Sequence, residues 1–399
     1  MTELPDGWQL STIGEVAEIV RGVTYSKADT LSANDIDAVP LLRATNLEVD
    51  SIDFDDMVYV PKRVVKTQQY LKLNDIFLAA SSGSITVVGK SAQVVKTNGA
   101  TFGAFCAVIR PKAIHPKYLS YLVQSPEIRD HWSATAKGTN INNLKPSDIS
   151  GTKIPIPPMA EQHKIVELLE DHLSRLDAAL ADVKQAKIKS SQFRRSLLQA
   201  AFSGNLNSNG TFLKPDIPGE WREERFGDIF KVKYGKAIDK SLRLEFAEFP
   251  VVGSAGIMTY TKTPLTSEPT IVIGRKGNVG SIQIFKEGCY PIDTTYYMPT
   301  ISDFDIDFLT YQLTSLELVK LDSSTATPSL RREDLENVQV VIPPMEEQLE
   351  IVAQIENHLS LLDAAVDTAD AMEKQSNGLR RSLLQAAFTG QLTKGVVSV

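Results

Sequence analysis

The chain has 399 residues, 42% of them hydrophobic and 23% charged, so it is long enough for two or three domains and has an ordinary globular composition. Its net charge of −7 argues against a uniformly basic nucleic-acid binder, and the lack of a long apolar run argues against a membrane span. Met1–Asp6 lacks the basic and apolar segments of a signal peptide. Cys106 and Cys289 lie far apart in apolar segments, so we expect two buried free thiols and a cytoplasmic protein.

Residues 1–153 are predicted to form a mixed α/β domain with no net charge. Short apolar runs separated by Gly, Asn, Asp and Ser predict several strands. These are Val39–Leu42, Met57–Val60, Ile76–Ala80, Ile85–Val88, Ala92–Val95 and Ala104–Ile109. Helices are predicted over Lys117–Gln124 and Glu127–Ala136, followed by a polar loop at Gly138–Pro146 and one more strand.

The next segment, residues 154–206, is predicted to be one long helix that begins near Pro157 and ends near Gly204. Proline is tolerated in the first helical turn, Glu161 suits the helix dipole there, and glycine suits the C-terminal end. The same segment returns at residues 340–392, where Pro343 takes the place of Pro157 and the alignment needs no gap. About half of the aligned positions are identical, which indicates an internal repeat.

Apolar residues recur in both long segments at alternating steps of four and three, which predicts a coiled-coil seam. At 1.5 Å per residue each helix would be roughly 65 Å long, and an apolar stripe of that length needs a partner helix. We expect the other copy to be that partner, with His172 and His358 as a polar pair that sets the register. The main seam residues expected are Ile165, Leu169, Leu176, Val183, Phe193, Leu197, Ile351, Ile355, Leu362, Met372, Leu379 and Leu383.

Residues 207–339 repeat the plan of the first globule with weaker similarity and a net charge of −4. Pro218–Trp221 corresponds to Pro5–Trp8, and strands are predicted at Pro250–Val252, Thr270–Ile273, Ser281–Phe285 and Tyr296–Met298, before a helix over Asp307–Lys320. Residues 340–399 then form the second helix and a tail. Because the helices match far more closely than the globules, we expect two related domains that bind two different things, although drift also separates repeated halves.

Few segments carry a chemical signature. Gly83–Ser91 resembles a phosphate-binding loop but has five residues between its glycines where the Walker pattern needs four, so we expect no nucleotide site. The adjoining Ser81–Ser84 is either an ordinary turn or a turn whose hydroxyls contact DNA. Gly274–Gly280 has three glycines and two cations, which fits close approach to a ligand or a solvated hairpin turn. The five histidines lack metal-ligand spacing, and we find no catalytic triad or cofactor loop.

Cations, hydroxyls and side-chain amides in the predicted loops are candidate DNA contacts, because such groups bind phosphates and base edges. In the first globule they are Arg21, Tyr25, Lys27, Arg43, Asn46, Ser81, Ser82, Ser84, Lys90, Asn140, Asn142, Asn143 and Lys145. In the second globule they are Lys236, Ser254, Arg275, Lys276, Asn278, Arg331 and Arg332. Each of them taken singly is better explained as an ordinary surface residue than as a base contact.

Two repeated motifs resemble the specificity subunits of type I restriction-modification enzymes, the HsdS family. They are Ile-Pro-Pro-Met-x-Glu-Gln, beginning at Ile156 and Ile342, and Arg-Arg-Ser-Leu-Leu-Gln-Ala-Ala-Phe, ending at Phe202 and Phe388. With the globule–helix alternation, the resemblance covers nearly the whole chain. The first globule also resembles that of one individual member, whereas the second gives no such close match. The similar segments are Arg21–Tyr25, Ser81–Ser84, Val87–Ala92, Phe102–Cys106 and Asn140–Asn143.

The resemblance implies two target recognition domains of mixed α/β fold that alternate with two long antiparallel helices. Each domain would recognise one half of an interrupted sequence in double-stranded DNA, while the helices space the domains and dock two modification subunits. Those subunits would methylate adenine with S-adenosylmethionine, and restriction subunits would add translocation and cleavage driven by ATP with Mg²⁺. This chain would then be non-catalytic and hold no cofactor, and its acidity suggests that partners supply part of the DNA-binding field. The alternatives are a coiled-coil assembly scaffold without DNA recognition and an autonomous enzyme.

Overall fold

The computed structural model describes residues 4–48, 50–138, 141–202, 221–300, 304–322 and 328–394. The chain divides into two compact units. One unit joins residues 1–182 to residues 371–399, and the other comprises residues 183–370. Each unit therefore holds one globule with a part of each long helix. The four domain ranges expected from the sequence follow chain order instead of these units, and they stay predictions.

The first globule contains two small sheets and two strand pairs. Its strands are β1 Gln9–Thr12, β2 Ala17–Arg21, β3 Ala38–Leu42, β4 Val58–Pro61, β5 Ile76–Ala79, β6 Ser81–Ser82, β7 Ser91–Gln93, β8 Thr101–Phe102, β9 Cys106–Pro111, β10 Asn142–Asn143 and β11 Lys153–Ile156. Its helices are α1 Ile13–Val16, α2 Pro116–Gln124, α3 Pro126–Thr135 and α4 Pro146–Ser150. The strand order is β2-β9-β5-β7 in the larger sheet and β4-β3-β8 in the smaller, where β3 and β8 run parallel. Strand β1 pairs with β11, and β6 with β10.

The strand predicted at Ile85–Val88 is wrong, because this segment is a turn. Gly89 has φ +79°, and its N–H donates to the carbonyl of Ala79 at 2.8 Å, which turns the chain back toward β7. Val88 is fully buried, so its apolar side chain belongs to the core even though its backbone is not in a sheet. The apolar run indicated burial correctly and indicated the wrong backbone conformation.

After the first long helix, α5 Met159–Phe202, the second globule repeats the topology of the first. Its strands are β12 Arg222–Arg225, β13 Lys233–Tyr234, β14 Phe249–Gly253, β15 Gly256–Thr261, β16 Thr270–Gly274, β17 Ile282–Phe285, β18 Tyr290–Pro291, β19 Thr295–Pro299 and β20 Gln339–Ile342. Its helices are α6 Phe226–Ile229, α7 Ile306–Ser315 and α8 Arg332–Glu336. The sheets are β13-β19-β16-β17 and β15-β14-β18, with β12 paired to β20. The predicted helix Asp307–Lys320 ends early at Ser315, because Glu317 adopts a left-handed φ of +47°.

The second long helix, α9 Met345–Phe388, is followed by the short α10 Gln391–Lys394. In the first unit, α5 shares its core with the end of α9, through Ile165, Leu169, Leu173, Leu384, Ala387 and Phe388. In the second unit, the end of α5 shares its core with the start of α9, through Leu197, Leu198, Ala201, Ile351, Ile355 and Leu359. The two helices therefore pack antiparallel within each unit. No helix in the described ranges combines the length and apolarity that a membrane span requires.

The predicted seam alternates between two heptad positions. At one of them, the buried residue lies one position later in the sequence than predicted. Leu173 and Leu359 are buried, whereas His172 is exposed and His358 half-buried, so the predicted histidine pair is wrong. For the same reason three predicted seam residues are 43–51% exposed, namely Phe193, Met372 and Leu379. The pattern misled because the buried residue that follows Leu169 is Leu173, one position beyond His172.

Arginines occupy two of the displaced seam positions. Arg194 pairs with Asp363 in the second unit, and Arg380 donates to Asp177 at 2.9 Å in the first. These are the same pair in the repeat, since Arg194 aligns with Arg380 and Asp177 aligns with Asp363. Arg380 also pairs with Asp50 of the first globule, and its side chain is only 14% exposed. At these two positions a charge pair takes the place of an apolar contact between the helices.

The Glu-Gln of the repeated motif attaches each long helix to its own globule. Trp8 donates its indole N–H to Glu161 at 3.0 Å, and Gln162, 2% exposed, accepts the N–H of His115 and donates to Pro157, both at 2.9 Å. The second copy makes the corresponding bonds. There Glu347 accepts from Trp221, and Gln348 accepts from Asp305 and donates to Pro343.

We expect Gln162→Ala to lower the free energy of unfolding by about 1–3 kcal/mol, because a buried N–H and a buried carbonyl lose their partner. Gln199→Ala is the matched control, since Gln199 is exposed on the same helix. Thermal and denaturant unfolding of both variants measures the difference. Equal losses at the two positions would show that the buried bonds contribute nothing specific.

His115 makes stability depend on pH. Its Nδ1 accepts the N–H of Tyr118 at 3.3 Å and caps α2, which requires a neutral imidazole. Burial, and then the ring of His163 at 4.4 Å, lower the pKa of His115, and Glu170 opposes them. Because the folded pKa lies below the unfolded value of about 6.5, the unfolded chain binds more protons in acid. The contribution of His115 is present above pH of about 6.5 and is lost as the pH falls through the folded pKa.

We therefore expect His115→Asn, which keeps a helix-capping side chain that does not titrate, to lose less stability than the wild type as the pH falls from about 7.5 to about 5.5. Melting temperatures measured across that range test the expectation. Parallel pH profiles for the two proteins would contradict it.

Candidate nucleic-acid interface

Three loops of the first globule are joined by backbone hydrogen bonds at one edge of its larger sheet. The N–H groups of Ala80 and Ser81, which follow β5, both donate to the carbonyl of Phe105 at 2.9 Å. Leu144, just before α4, donates its N–H to the carbonyl of Ala80 at 2.9 Å. The loops after β5, before β9 and before α4 are therefore held as one surface.

The second globule has the same frame. Arg275 and Lys276, which follow β16, donate their N–H groups to the carbonyl of Thr294 at 2.9 and 3.1 Å. Leu330, just before α8, donates its N–H to the carbonyl of Arg275 at 2.9 Å. Ala80 thus corresponds to Arg275, Ser81 to Lys276 and Phe105 to Thr294. The backbone is repeated and the side chains are not.

A glycine in each globule allows another strand connection to approach this surface. A Cβ at Gly22 would collide with the carbonyl of Gly103, and one at Gly235 would collide with the carbonyl of Ile292. Both glycines follow the first strand of the larger sheet. They place Arg21 and Tyr234, the residues before them, at corresponding positions.

The frame of the first globule surrounds two neighbouring cavities of about 590 and 230 Å³, which share Ala104 and Cys106. Phe105 and Ile141 line the larger cavity and are 65% and 54% exposed, which is unusual for large apolar side chains. Predicted DNA contacts line both cavities. They are Tyr25, Arg43, Ser81 and Ser82 at the larger and Arg21, Asn143 and Lys145 at the smaller.

Asn46 is wrong as a DNA contact. It is 1% exposed, accepts the N–H of Arg43 at 2.7 Å and donates its amide to the carbonyls of Asp53 and Asp56. It therefore holds the loop that carries Arg43. The guanidinium of Arg43 also donates to the Asp56 carboxylate at 2.8 Å, so a fixed cation lines the cavity.

Several other predicted residues of the first globule are engaged within the loops or lie elsewhere. Asn142 donates its amide to the carbonyl of Gly83 at 3.1 Å, and Asn143 accepts from the Ser81 hydroxyl. The Ser84 hydroxyl bonds to that of Thr86 at 2.8 Å. Lys90 is exposed at the start of β7 and lines neither cavity. Asn140 and the side chain of Lys27 lie outside the described residues.

In the second globule, Arg275 lies over two tyrosine rings. Its guanidinium carbon is 5.3 Å from the ring centre of Tyr234 and 5.8 Å from that of Tyr296, which is cation–π distance. The predicted contacts Lys236, Lys276 and Asn278 are exposed in this globule. Gly277 and Gly280 in this loop have φ angles of +79° and +74°, a left-handed conformation that glycine adopts without strain.

One predicted contact of the second globule is wrong, and two others form ion pairs. Ser254 is 9% exposed, and its carbonyl accepts the Ser281 hydroxyl at 2.7 Å, so it supports the loop from beneath. Arg331 is paired with Asp334, and Arg332 is paired with Glu336, at 2.8 and 2.6 Å. Both arginine side chains remain accessible, at 64% and 40% exposure, so Arg331 and Arg332 stay predicted contacts.

The sequence did not single out Phe105, Tyr234, Thr294 or Tyr296. One signal was available, because the interval from Gly22 to Gly235 equals the interval from Trp8 to Trp221. Aligning the globules on these residues puts Tyr234 at the position of Arg21.

Neither a metal site nor a redox role is indicated in the described part of the chain. Both cysteines are buried, which raises the pKa of each thiol to about 12. The described ranges also contain no metal-binding group of His, Cys, Asp and Glu.

Comparison with known proteins gives a consistent result. A family model described as the type I restriction modification DNA specificity domain matches residues 5–189 and 218–365. The StySPI specificity subunit of Salmonella potsdam is 30% identical over 98% of this chain and 90% of its own length. The EcoKI specificity subunit of Escherichia coli, the member whose first globule the sequence resembles, is 29% identical over the same shares.

Two solved structures have the same fold. A chain from a study of complex assembly and conformational transition in a type I R-M system matches with a TM-score of 0.78 and 19% identity, covering 98% of this chain and all of that one. The HsdS subunit of Thermoanaerobacter tengcongensis matches with a TM-score of 0.55 and 20% identity over 98% of both chains. Both agree with the predicted architecture of two globules and two long helices.

Proposed function

Because this chain belongs to the family of type I restriction-modification specificity subunits, we propose that its two globules recognise the two different halves of an interrupted target in double-stranded DNA. The observation that carries the proposal is the repeated loop frame with exchanged side chains. The same backbone hydrogen bonds present Ala80, Ser81 and Phe105 in one globule and Arg275, Lys276 and Thr294 in the other. Equal frames with different side chains suit two domains that bind DNA alike and select different bases.

Local charge supports DNA binding despite the acidic total. In the first globule the cations Arg21, Arg43 and Lys145 line the two cavities, and in the second Arg275 and Lys276 follow β16. Much of the acidity lies elsewhere, since residues 340–392 carry a net charge of −5. A local basic face attracts phosphates regardless of the overall sign, and partner subunits would add to it.

The exposed apolar residues of the long helices support docking of two modification subunits. Phe193 and Leu379 are 43% and 50% exposed and occupy equivalent positions of the repeat, as do the exposed Met159 and Met345. An apolar surface that appears twice in a repeat fits two copies of one partner. We place the complex in the cytoplasm with DNA. We assign S-adenosylmethionine to the modification subunits, and ATP with Mg²⁺ to the restriction subunits that join them.

Binding measurements on the chain together with its modification subunit test the proposal. We expect sequence-specific binding whose affinity falls linearly with salt on a logarithmic scale, as counterion release requires. Arg43→Ala should weaken binding, whereas Arg225→Ala, which removes an exposed arginine paired with Asp228 outside the loops, should not. A complex that assembles normally yet binds all sequences equally would favour the scaffold alternative.

We further expect the purified chain alone to show no DNA methylation, DNA cleavage or ATP hydrolysis, because we assign the catalytic chemistry to its partners. Assays of the isolated chain beside the complete complex measure this. An activity of the isolated chain that a point mutation in it abolishes would contradict the expectation.

A further inference from the structure

One arginine of the second globule occupies a position at which the first globule has only an alanine. Arg275 follows the central strand β16, and the corresponding residue after β5 is Ala80. The two positions are equivalent because both residues make the same two backbone hydrogen bonds. Each donates its N–H to the opposite loop. The carbonyl of Arg275 accepts the N–H of Leu330, and the carbonyl of Ala80 accepts the N–H of Leu144. The two globules therefore present different side chains at this position, an arginine in one and an alanine in the other.

The environment of Arg275 differs from that of the other candidate arginines in its globule. Arg331 and Arg332 each donate to a carboxylate one turn along α8. Arg275 forms no ion pair in the part of the chain that the structure describes, and its guanidinium lies at cation–π distance from the rings of Tyr234 and Tyr296. A guanidinium over a ring face keeps N–H groups at its edge that can donate to another acceptor.

A guanidinium that lies over two rings, and that has no ion pair among the described residues, matches one base edge best. Guanine presents O6 and N7 as adjacent acceptors in the major groove, and a bidentate arginine is the commonest specific contact to them. Lysine and serine make less selective contacts, so Lys276 and Ser81 at the next position suit phosphates or several bases. An alanine at position 80 offers no hydrogen bond to a base.

We propose that Arg275 recognises a guanine in the half-site bound by the second globule, with Tyr234 and Tyr296 as positioning residues, and that Ala80 removes this contact from the first globule. The inference rests on the proposed function. It adds the base chemistry of one half-site, which must contain at least one G·C pair.

The test uses the chain in complex with its modification subunit, after its methylated target has been mapped. Each guanine of the target is replaced in turn by 7-deazaguanine, which lacks the N7 acceptor and keeps Watson–Crick pairing. We expect one such replacement, in one half-site, to weaken wild-type binding by about 5- to 150-fold, the range of one bidentate contact. Arg275→Ala should weaken binding to unmodified DNA by a similar factor and become insensitive to that replacement only.

Three further variants sharpen the result. Arg275→Lys keeps the charge and loses the fork, so it should behave like Arg275→Ala. Tyr234→Leu removes a supporting ring and should reduce discrimination at the same guanine. Arg225→Ala should match the wild type. Thermal unfolding of each variant shows that the globule is intact.

The inference is overturned if the half-site affected by Arg275→Ala has no G·C pair, if Arg275→Lys binds as the wild type does, or if Arg275→Ala weakens binding to all sequences equally, which marks a phosphate contact. A wild-type complex without sequence specificity would instead refute the proposed function. The two failures are therefore distinguishable.

Discussion

A fragment that ends near Asn209 will form a symmetric dimer and, with its modification partner, methylate an interrupted palindrome built from the first half-site alone. The fragment lacks residues 371–399, which belong to the compact unit of the first globule. A second copy of the first long helix can supply what is missing, because the ends of α5 and α9 carry the same motif. Two identical helices packed antiparallel have two-fold symmetry, so the dimer requires a two-fold target.

The contacts that must be replaced are specific. In the whole chain, Phe388 packs edge-on against Tyr118 with ring centres 5.4 Å apart, and Arg380 donates to Asp177. In the dimer, Phe202 and Arg194 of the other copy would take these places. Phe202 already makes such a contact in the second unit, where it packs against Phe308 at 5.2 Å.

Sedimentation across a salt series, with methylation mapping, measures the result. Phe202→Ala should abolish dimerisation of the fragment, since truncating a buried phenylalanine costs about 3–5 kcal/mol. A fragment of residues 207–399 should dimerise more weakly at low salt, because its helix segment carries −5 where the first carries +1. A strictly monomeric first fragment, or methylation of a non-palindromic site by it, would refute the expectation.

Replacing residues 207–339 with the equivalent segment of a relative will change one half of the target completely and leave the other half unchanged. The larger sheet of the second globule packs on a core that also contains the ends of both helices in that unit, while Val252 of the smaller sheet belongs to a separate cluster. The donor segment must therefore keep the apolar contacts of Phe202 and Ile355, and the arginine and tyrosine positions are free to change. Methylome sequencing of cells that express the chimera reports both halves. Altered bases in both halves would show that the globules do not recognise DNA independently.

The sequence predicted the long helices well because they depend on a local periodicity and on a repeated motif. It placed the helix stripe correctly at Leu169, Leu176 and Leu197, and it failed at His172 and Phe193. A step of three residues and a step of four place the next seam residue one position apart. Which of the two is buried depends on packing against the partner helix. The pair of Arg380 with Asp177 could not be predicted from local patterns, because the two residues lie far apart in sequence.

The sequence predicted the types of residue in the candidate interface, but it did not predict how the loops that carry them are arranged. Arg21 and Lys145 are exposed at the loop surfaces, and Arg43 and Arg275 are half-buried there. Asn46 and Ser254 were mistaken for surface groups, because a polar side chain that satisfies buried backbone groups has the same sequence signature as one that faces solvent. The loop frame depends on backbone hydrogen bonds such as that from Ala80 to Phe105, which a sequence pattern does not predict.

Methylation mapping of DNA from a host that carries this chain with its modification subunit tests the central claim most directly. Two globules with one frame and different side chains should give a target of two unequal half-sites separated by unspecified bases. A single uninterrupted target, two identical half-sites, or no methylation dependent on this chain would contradict the claim.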